Sequence, residues 1–341
     1  MSEAVFPTLG PLFVFAIVLP LSALLARLVL WIASALDPTS GLSSHQALRY
    51  ATLVASSALP LCWFISASLH QAESGTNALV CLARHARAGC VESAYFSLAL
   101  ASLALLIGLP RLLRDRLALR GSHDQAAAAV SLRLQAIVGA RPALAVLAGR
   151  VVVSNVVSSP IVTVGIISQR VVVQTAFAES IDDDALAGAL HHELEHFTNH
   201  DPLRYFVAWW ALAVNPVGGW LLRAEHARWI LGREAHCDRQ AVASGASATA
   251  LAKALVIAAK TPRRTLHPAL GSVQVEAVKL RLGLLLAYAD RKPHRCDHGS
   301  TLPLLLAVVV AALALPHGTR TDPLDLLHQA TEHGMAVFVG K

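Results

Sequence analysis

Four long uncharged apolar runs constrain this chain more than any other feature: Leu9–Ala26, which stops at Arg27, then Tyr50–Leu69, Ala94–Leu109 and Leu302–Pro316. About 20 apolar helical residues cross roughly 30 Å of hydrocarbon, and each run is near that length, the last being the shortest. With 55% hydrophobic residues, only 15% charged and a mean hydropathy of +0.54, the chain is expected to live in a bilayer. The first run has no basic segment before it and exceeds the apolar stretch of a cleaved signal peptide, so it reads as a retained helix.

Orientation follows from the basic residues, because Lys- and Arg-rich loops are retained in the cytoplasm. Arg111, Arg114, Arg116 and Arg120 follow the third run, and Arg291, Lys292 and Arg295 precede the fourth. Both flanks of the middle region therefore read as cytoplasmic, with the two termini on the other side. The same clustering accounts for the formal charge of +6 through topology and anionic lipid, so direct nucleic-acid binding is not expected. Cys81 and Cys90 share a loop expected in the oxidising compartment and are a candidate disulfide, a pairing that spacing alone does not decide. Cys62 and Cys296 read as small residues.

These signals divide the chain into a three-span region, 1–113, a cytoplasmic domain, 114–300, a fourth span, 301–317, and a short extracytoplasmic tail, 318–341. The middle domain is long enough to bury one core. Asp124 to Ile137 reads as a helix, and "VVVSNVVSSPIVTVG" and "RVVVQT" are β-branched runs broken by Ser, Pro and Gly, the pattern of two or three short strands. "SIDDDALAGALHHELEHF" then combines acidic residues suited to a helix N-terminus with an apolar stripe at Leu186, Ala189, Leu190, Leu194 and Phe197. The expected fold is α+β: about four transmembrane helices, with a mostly helical zincin-like domain of the gluzincin type inserted between the third and fourth.

The stretch "HELEH" carries the chemistry. Residues i and i+4 share a helix face, so His192 and His196 can present both imidazoles to one metal ion, while Glu193 leans toward the adjacent open position. With 16 histidines in 341 residues, such a match is expected by chance only about 0.02 times, which favours a metal site over coincidence. A catalytic zinc needs a third protein ligand, and "REAHCD" supplies Glu234 on a helix expected over Trp220–Val242. Asp238 shares Glu234's face and can accept a hydrogen bond from the far nitrogen of a ligand histidine. Asp201, five residues after His196, either does similar work or caps a helix, the commoner role for Asp at that place.

"HELEHFTNHD", followed by "NPVGGWLLRAEHARWILGREAHCDRQAV", resembles the BlaR/MecR-type integral-membrane metallopeptidases, bacterial antirepressor and signal-transducing proteins. The "SSPIVTVG" strand before the helix and the "VKLRLGLLL" after it follow the same pattern, over roughly residues 150–290, and the three-span, domain, one-span layout adds to it. The resemblance implies one zinc per chain at His192, His196 and Glu234, with Glu193 as base, in a multi-pass protein of the bacterial inner membrane. It implies a protein substrate, such as a winged-helix repressor or the chain itself. Members that sense β-lactams carry a large domain after the last span, whereas about 25 residues remain here, so antibiotic sensing is not carried over. Quality-control membrane peptidases of the HtpX or prenyl-protease type share the Glu-x-x-x-Asp design, and a non-catalytic zinc sensor is a third class that the intact Glu193 argues against.

In the expected chemistry zinc activates a water and polarises the scissile carbonyl, and Glu193 takes the water's proton and returns it to the leaving amine. His226, His236, Arg233 and Arg239 are candidate oxyanion donors, among which the sequence does not choose. An unpaired strand edge within Val151–Thr175 could hold an extended substrate. His191, His200, His294 and His298 read as solvated, and Cys237 as a small buried residue. Finally, "RYFVAWWALAVNPVGGWLL" looks like a further span, but one crossing there would put Glu234 across the membrane from His192 and His196. It is therefore expected to be a buried or partly inserted helix broken at Asn215-Pro216.

Overall fold

The computed structural model describes residues 14–36, 46–73, 106–110, 125–157, 159–261 and 269–290, and within them it is mostly helical with one small sheet. The helices are α1 (Leu19–Leu36, preceded by a wider π-type turn at Val14–Val18), α2 (Gln46–Glu73), α3 (Gln125–Gly139), α4 (Thr175–Ser180), α5 (Asp183–Thr198), α6 (Asp201–Val214), α7 (Gly218–Leu221), α8 (Arg223–Ala243), α9 (Ala248–Lys260) and α10 (Ala269–Asp290). The strands are β1 (Val151–Val153), β2 (Ile161–Val164) and β3 (Arg170–Val173), in the order β1-β3-β2, with β1 parallel and β2 antiparallel to β3. Gly165 turns the chain from β2 to β3 at φ +98, where a Cβ would collide with the Ser168 carbonyl.

Among the described residues one helix, Phe15–Leu36, is long and apolar enough to cross a membrane. The uncharged run ends at Arg27, and the helix continues through it to Leu36. The Arg27 guanidinium donates to the Leu221 carbonyl at 3.2 Å. The second run lies inside α2. Most of the third run, all of the fourth, and Cys81 and Cys90 lie outside the described residues.

Helix α5 organises the rest. Its start is fixed by Asp182, whose side chain accepts a hydrogen bond from the Ala185 amide, and every residue from Ala185 to Phe197 is buried. Such a helix is enclosed on all sides. One side packs into a core with α3, β1, β3 and α4, where Leu134, Val171, Phe177, Leu186 and Leu190 are at most 1% exposed. Another meets α9 at Gly188, where a Cβ would lie 3.1 Å from the Leu251 amide nitrogen, so a larger residue would push the two backbones apart by a few tenths of an ångström.

A second core joins α1 and α2 to α6, α7 and α8 through Ala23, Leu53, Ala208, Leu222 and Trp229. Helix α6 ends at Asn215, whose side chain donates to the Leu19 carbonyl at 2.8 Å, and Pro216 follows. At 14 residues α6 is about 21 Å long, short of a full crossing. The chain then reverses through α7 into α8, which packs back onto α5. The segment after His196 thus leaves and returns to one place.

Candidate metal centre

The i, i+4 spacing on α5 brings His192 Nε2 and His196 Nε2 to 3.1 Å. Glu234, on the face of α8 turned toward α5, places Oε2 at 3.4 Å from His192 Nε2 and Oε1 at 3.4 Å from His196 Nε2. Donors around a tetrahedral ion with bonds of 2.0–2.1 Å stand about 3.3 Å apart, close to these spacings, with a different Glu234 oxygen nearest each histidine. Three such donors, one from each of these side chains, all lie within 4.8 Å of one another, and this group could hold a metal ion.

Each histidine has a carboxylate behind it. Asp238 Oδ1 lies 2.8 Å from His192 Nδ1, and Asp201 Oδ2 lies 2.8 Å from His196 Nδ1. An Nδ1–H donated to a carboxylate leaves the Nε2 lone pair for the metal. Asp201 therefore orients His196, although it also opens α6, where an acidic residue suits the helix dipole. It is fully buried, and Arg233 NH2 donates to its Oδ2 at 2.7 Å. Cys237 Sγ lies 3.5 Å from His196 Nδ1, completing a second buried group of metal-ligand type, His196, Asp201 and Cys237.

Glu193 is 5% exposed and held from above by the sheet: the Thr163 hydroxyl, on β2, donates to Glu193 Oε2 at 2.7 Å. β2 is the outermost strand next to α5, so the strand that carries Thr163 also offers the sheet's edge beside Glu193. From the opposite side, Arg281 on α10 reaches both carboxylates of α8. Its Nε and NH2 fork onto Asp238 at 2.7 and 2.8 Å, and NH1 donates to Glu234 Oε2 at 2.7 Å. Tyr205 on α6 donates to Glu234 Oε1 at 3.3 Å.

These contacts set the charge states. Burial alone would raise the Glu234 carboxyl, but Arg281 and then His196 hold it well below the usual carboxylate range. Asp238 is likewise pushed up by burial and brought down by Arg281 and His192, and Asp201 by burial and then by His196 and Arg233. Burial raises the Cys237 thiol, which is therefore an unreactive neighbour.

Of the residues singled out in the sequence, His192, His196, Asp201, Glu234 and Asp238 converge on this one place, and Glu193 follows His192 on α5 with its carboxylate on Thr163. His191 differs from expectation: it is 5% exposed rather than solvated, because α5 is enclosed on the off-motif face as well, and its Nδ1 lies 3.4 Å from the Ser244 hydroxyl. His200 is exposed and adopts a left-handed conformation, φ +53, in the turn between α5 and α6. Among the candidate oxyanion donors, Arg233 is engaged by Asp201 and His226 stacks on Trp229 with ring centroids 5.9 Å apart. The sequence reading missed Thr163, Tyr205 and Arg281. Thr163 and Tyr205 had faint signals, a hydroxyl between two valines in a strand and a tyrosine one helical turn after Asp201, whereas Arg281 lay inside the "VKLRLGLLL" stretch that carried part of the resemblance. No family model, curated protein or solved structure matches the chain.

Proposed function

We propose that the chain is a zinc-dependent endopeptidase of the bacterial inner membrane, cleaving a cytoplasmic regulator such as a repressor, or its own chain. The observation that supports it most is the pairing of a three-donor metal set with a buried glutamate, Glu193, next in sequence to one of its ligands and held by an edge strand. Two imidazoles and one carboxylate suit zinc, and three protein ligands leave a coordination position open, as catalytic rather than structural sites do. When bound, zinc supplies Lewis acidity toward water and a peptide carbonyl.

The chain's own residues do the rest. Glu193 accepts the proton of the attacking water and delivers it to the amine that leaves. The Thr163 hydroxyl fixes one oxygen of that carboxylate, so the other receives the proton. An extended peptide laid along the outer edge of β2 would pass over Glu193, with main-chain pairing to the strand holding it in register. The packing of α6 against α1 and α2, and its return at Asn215-Pro216, support a site close to the cytoplasmic membrane face.

The test is Glu193→Gln in purified, zinc-loaded protein, with an unfolded protein such as casein as probe. The variant is expected to keep one zinc per chain and its fold while losing cleavage, because it removes the base and keeps the side chain's size. Cleavage at a wild-type rate would sink the assignment. His196→Ala and Glu234→Ala should instead lose the metal.

A further inference from the structure

We infer that Arg281, 89 residues from His192 in the chain, is the positioning residue that assembles the metal ligands, and that α10 is the element that delivers it. The inference rests on the zinc reading above and adds a residue to it. Glu234 and Asp238 lie one helical turn apart on α8, and a single guanidinium spans both. Its Nε and NH2 fix the plane of the Asp238 carboxylate. The same Oδ1 that takes NH2 at 2.8 Å stands 2.8 Å from His192 Nδ1, an ion-pair distance, so Arg281 holds in place the carboxylate against which the His192 ring is set. Its NH1 holds Glu234 Oε2 at 2.7 Å, with that oxygen 3.4 Å from His192 Nε2. Two ligands are thereby set by one side chain.

The direction of Arg281 is itself fixed by packing. Arg281, Leu285 and Tyr288 form an i, i+4, i+7 stripe on α10, and Leu285, fully buried, seats that stripe in a core with Ala241 and Val242 of α8 and Leu251 of α9. Only a fork can do this work, because a lysine ammonium reaches one carboxylate as a point charge and cannot hold the plane of a second. A cation this near a metal site could instead compete with the metal for Glu234. Arg281 NH2 also stands 3.5 Å from His192 Nε2, a contact that a bound ion displaces while the fork on Asp238 stays, so the affinity measurement separates assembly of the ligands from competition for them.

The experiment measures zinc affinity by competition with a chelating dye, in the full chain in detergent, for wild type, Arg281→Gln and Arg281→Lys. Residues that orient metal ligands typically change affinity by about 10- to 100-fold, and Arg281→Gln should bind zinc that much more weakly, with Arg281→Lys between it and wild type. Cobalt as a spectroscopic probe should give the intense visible band of a four-coordinate site in wild type, and a weakened band in Arg281→Gln as Glu234 drifts off. In Arg281→Ala, millimolar guanidinium, far below denaturing levels, should restore binding where equal urea does not. If Arg281→Gln fails to fold, Arg281→Lys decides. Zinc bound by the folded variants as tightly as by wild type, or more tightly, overturns the inference. A wild type that binds neither zinc nor cobalt overturns the metal reading instead.

Discussion

Asp201→Asn separates two roles that one carboxylate plays. The side chain is fully buried, and its Oδ2 takes the His196 Nδ1–H at 2.8 Å and the Arg233 fork at 2.7 and 3.3 Å. Asparagine keeps the shape and one acceptor oxygen but removes the charge, which strands the Arg233 guanidinium, itself only 6% exposed. Removing one partner of a buried ion pair costs about 3–5 kcal/mol, and the remaining oxygen puts this case near about 3 kcal/mol. The metal effect is smaller: loss of the carboxylate behind a ligand histidine weakens binding about 10- to 100-fold, or about 1.4–2.7 kcal/mol. Denaturant unfolding of chelator-stripped protein in detergent measures the first effect, and dye competition for zinc the second. The double variant Asp201→Asn/Arg233→Met then removes the stranded cation. Stability should largely return while zinc affinity stays low. If Asp201→Asn loses less than about 1 kcal/mol, or if Arg233→Met restores zinc binding as well, the two roles are not separable as argued.

Thr163→Val keeps the shape of the side chain and deletes the hydroxyl on Glu193. A hydrogen bond to a charged group contributes about 1.5–3 kcal/mol, so kcat/KM on the casein probe should fall about tenfold or more with zinc content unchanged; a change within twofold would remove Thr163 from the machinery. Topology is tested with single cysteines and a membrane-impermeant thiol reagent on intact cells: positions 4 and 335 should label and positions 123 and 264 should not. Labelling at 264 with none at 123 would put the Phe206–Leu222 segment across the membrane and separate Glu234 from His192.

Local rules carry a residue's type and its helical or strand phase, and those parts of this protein were legible. The i, i+4 phase of His192 and His196, the acidic start of α5, the β-branched strands and the Glu234/Asp238 face all depend on neighbours within a turn or two, so periodicity reported them. The break at Asn215-Pro216 was legible for the same reason, because proline cannot continue a helix. Its consequence, that the chain returns to the ligands, followed from length against membrane thickness.

What only the tertiary structure decided is which distant groups share the site. The burial of His191 comes from α5 being wrapped on every face, which no stripe of apolar residues predicts when both faces contain histidines. The partner of Arg27, the Leu221 carbonyl 194 residues away, is likewise set only by packing. Thr163 and Arg281 approach from a strand 30 residues before Glu193 and a helix 47 residues after Glu234, and their sequence neighbours are ordinary valines and leucines. A hydrogen bond across such separations depends on how cores pack, on Gly188 letting α9 close on α5 and on Leu285 seating α10. That information is spread over the whole sequence and is local nowhere in it.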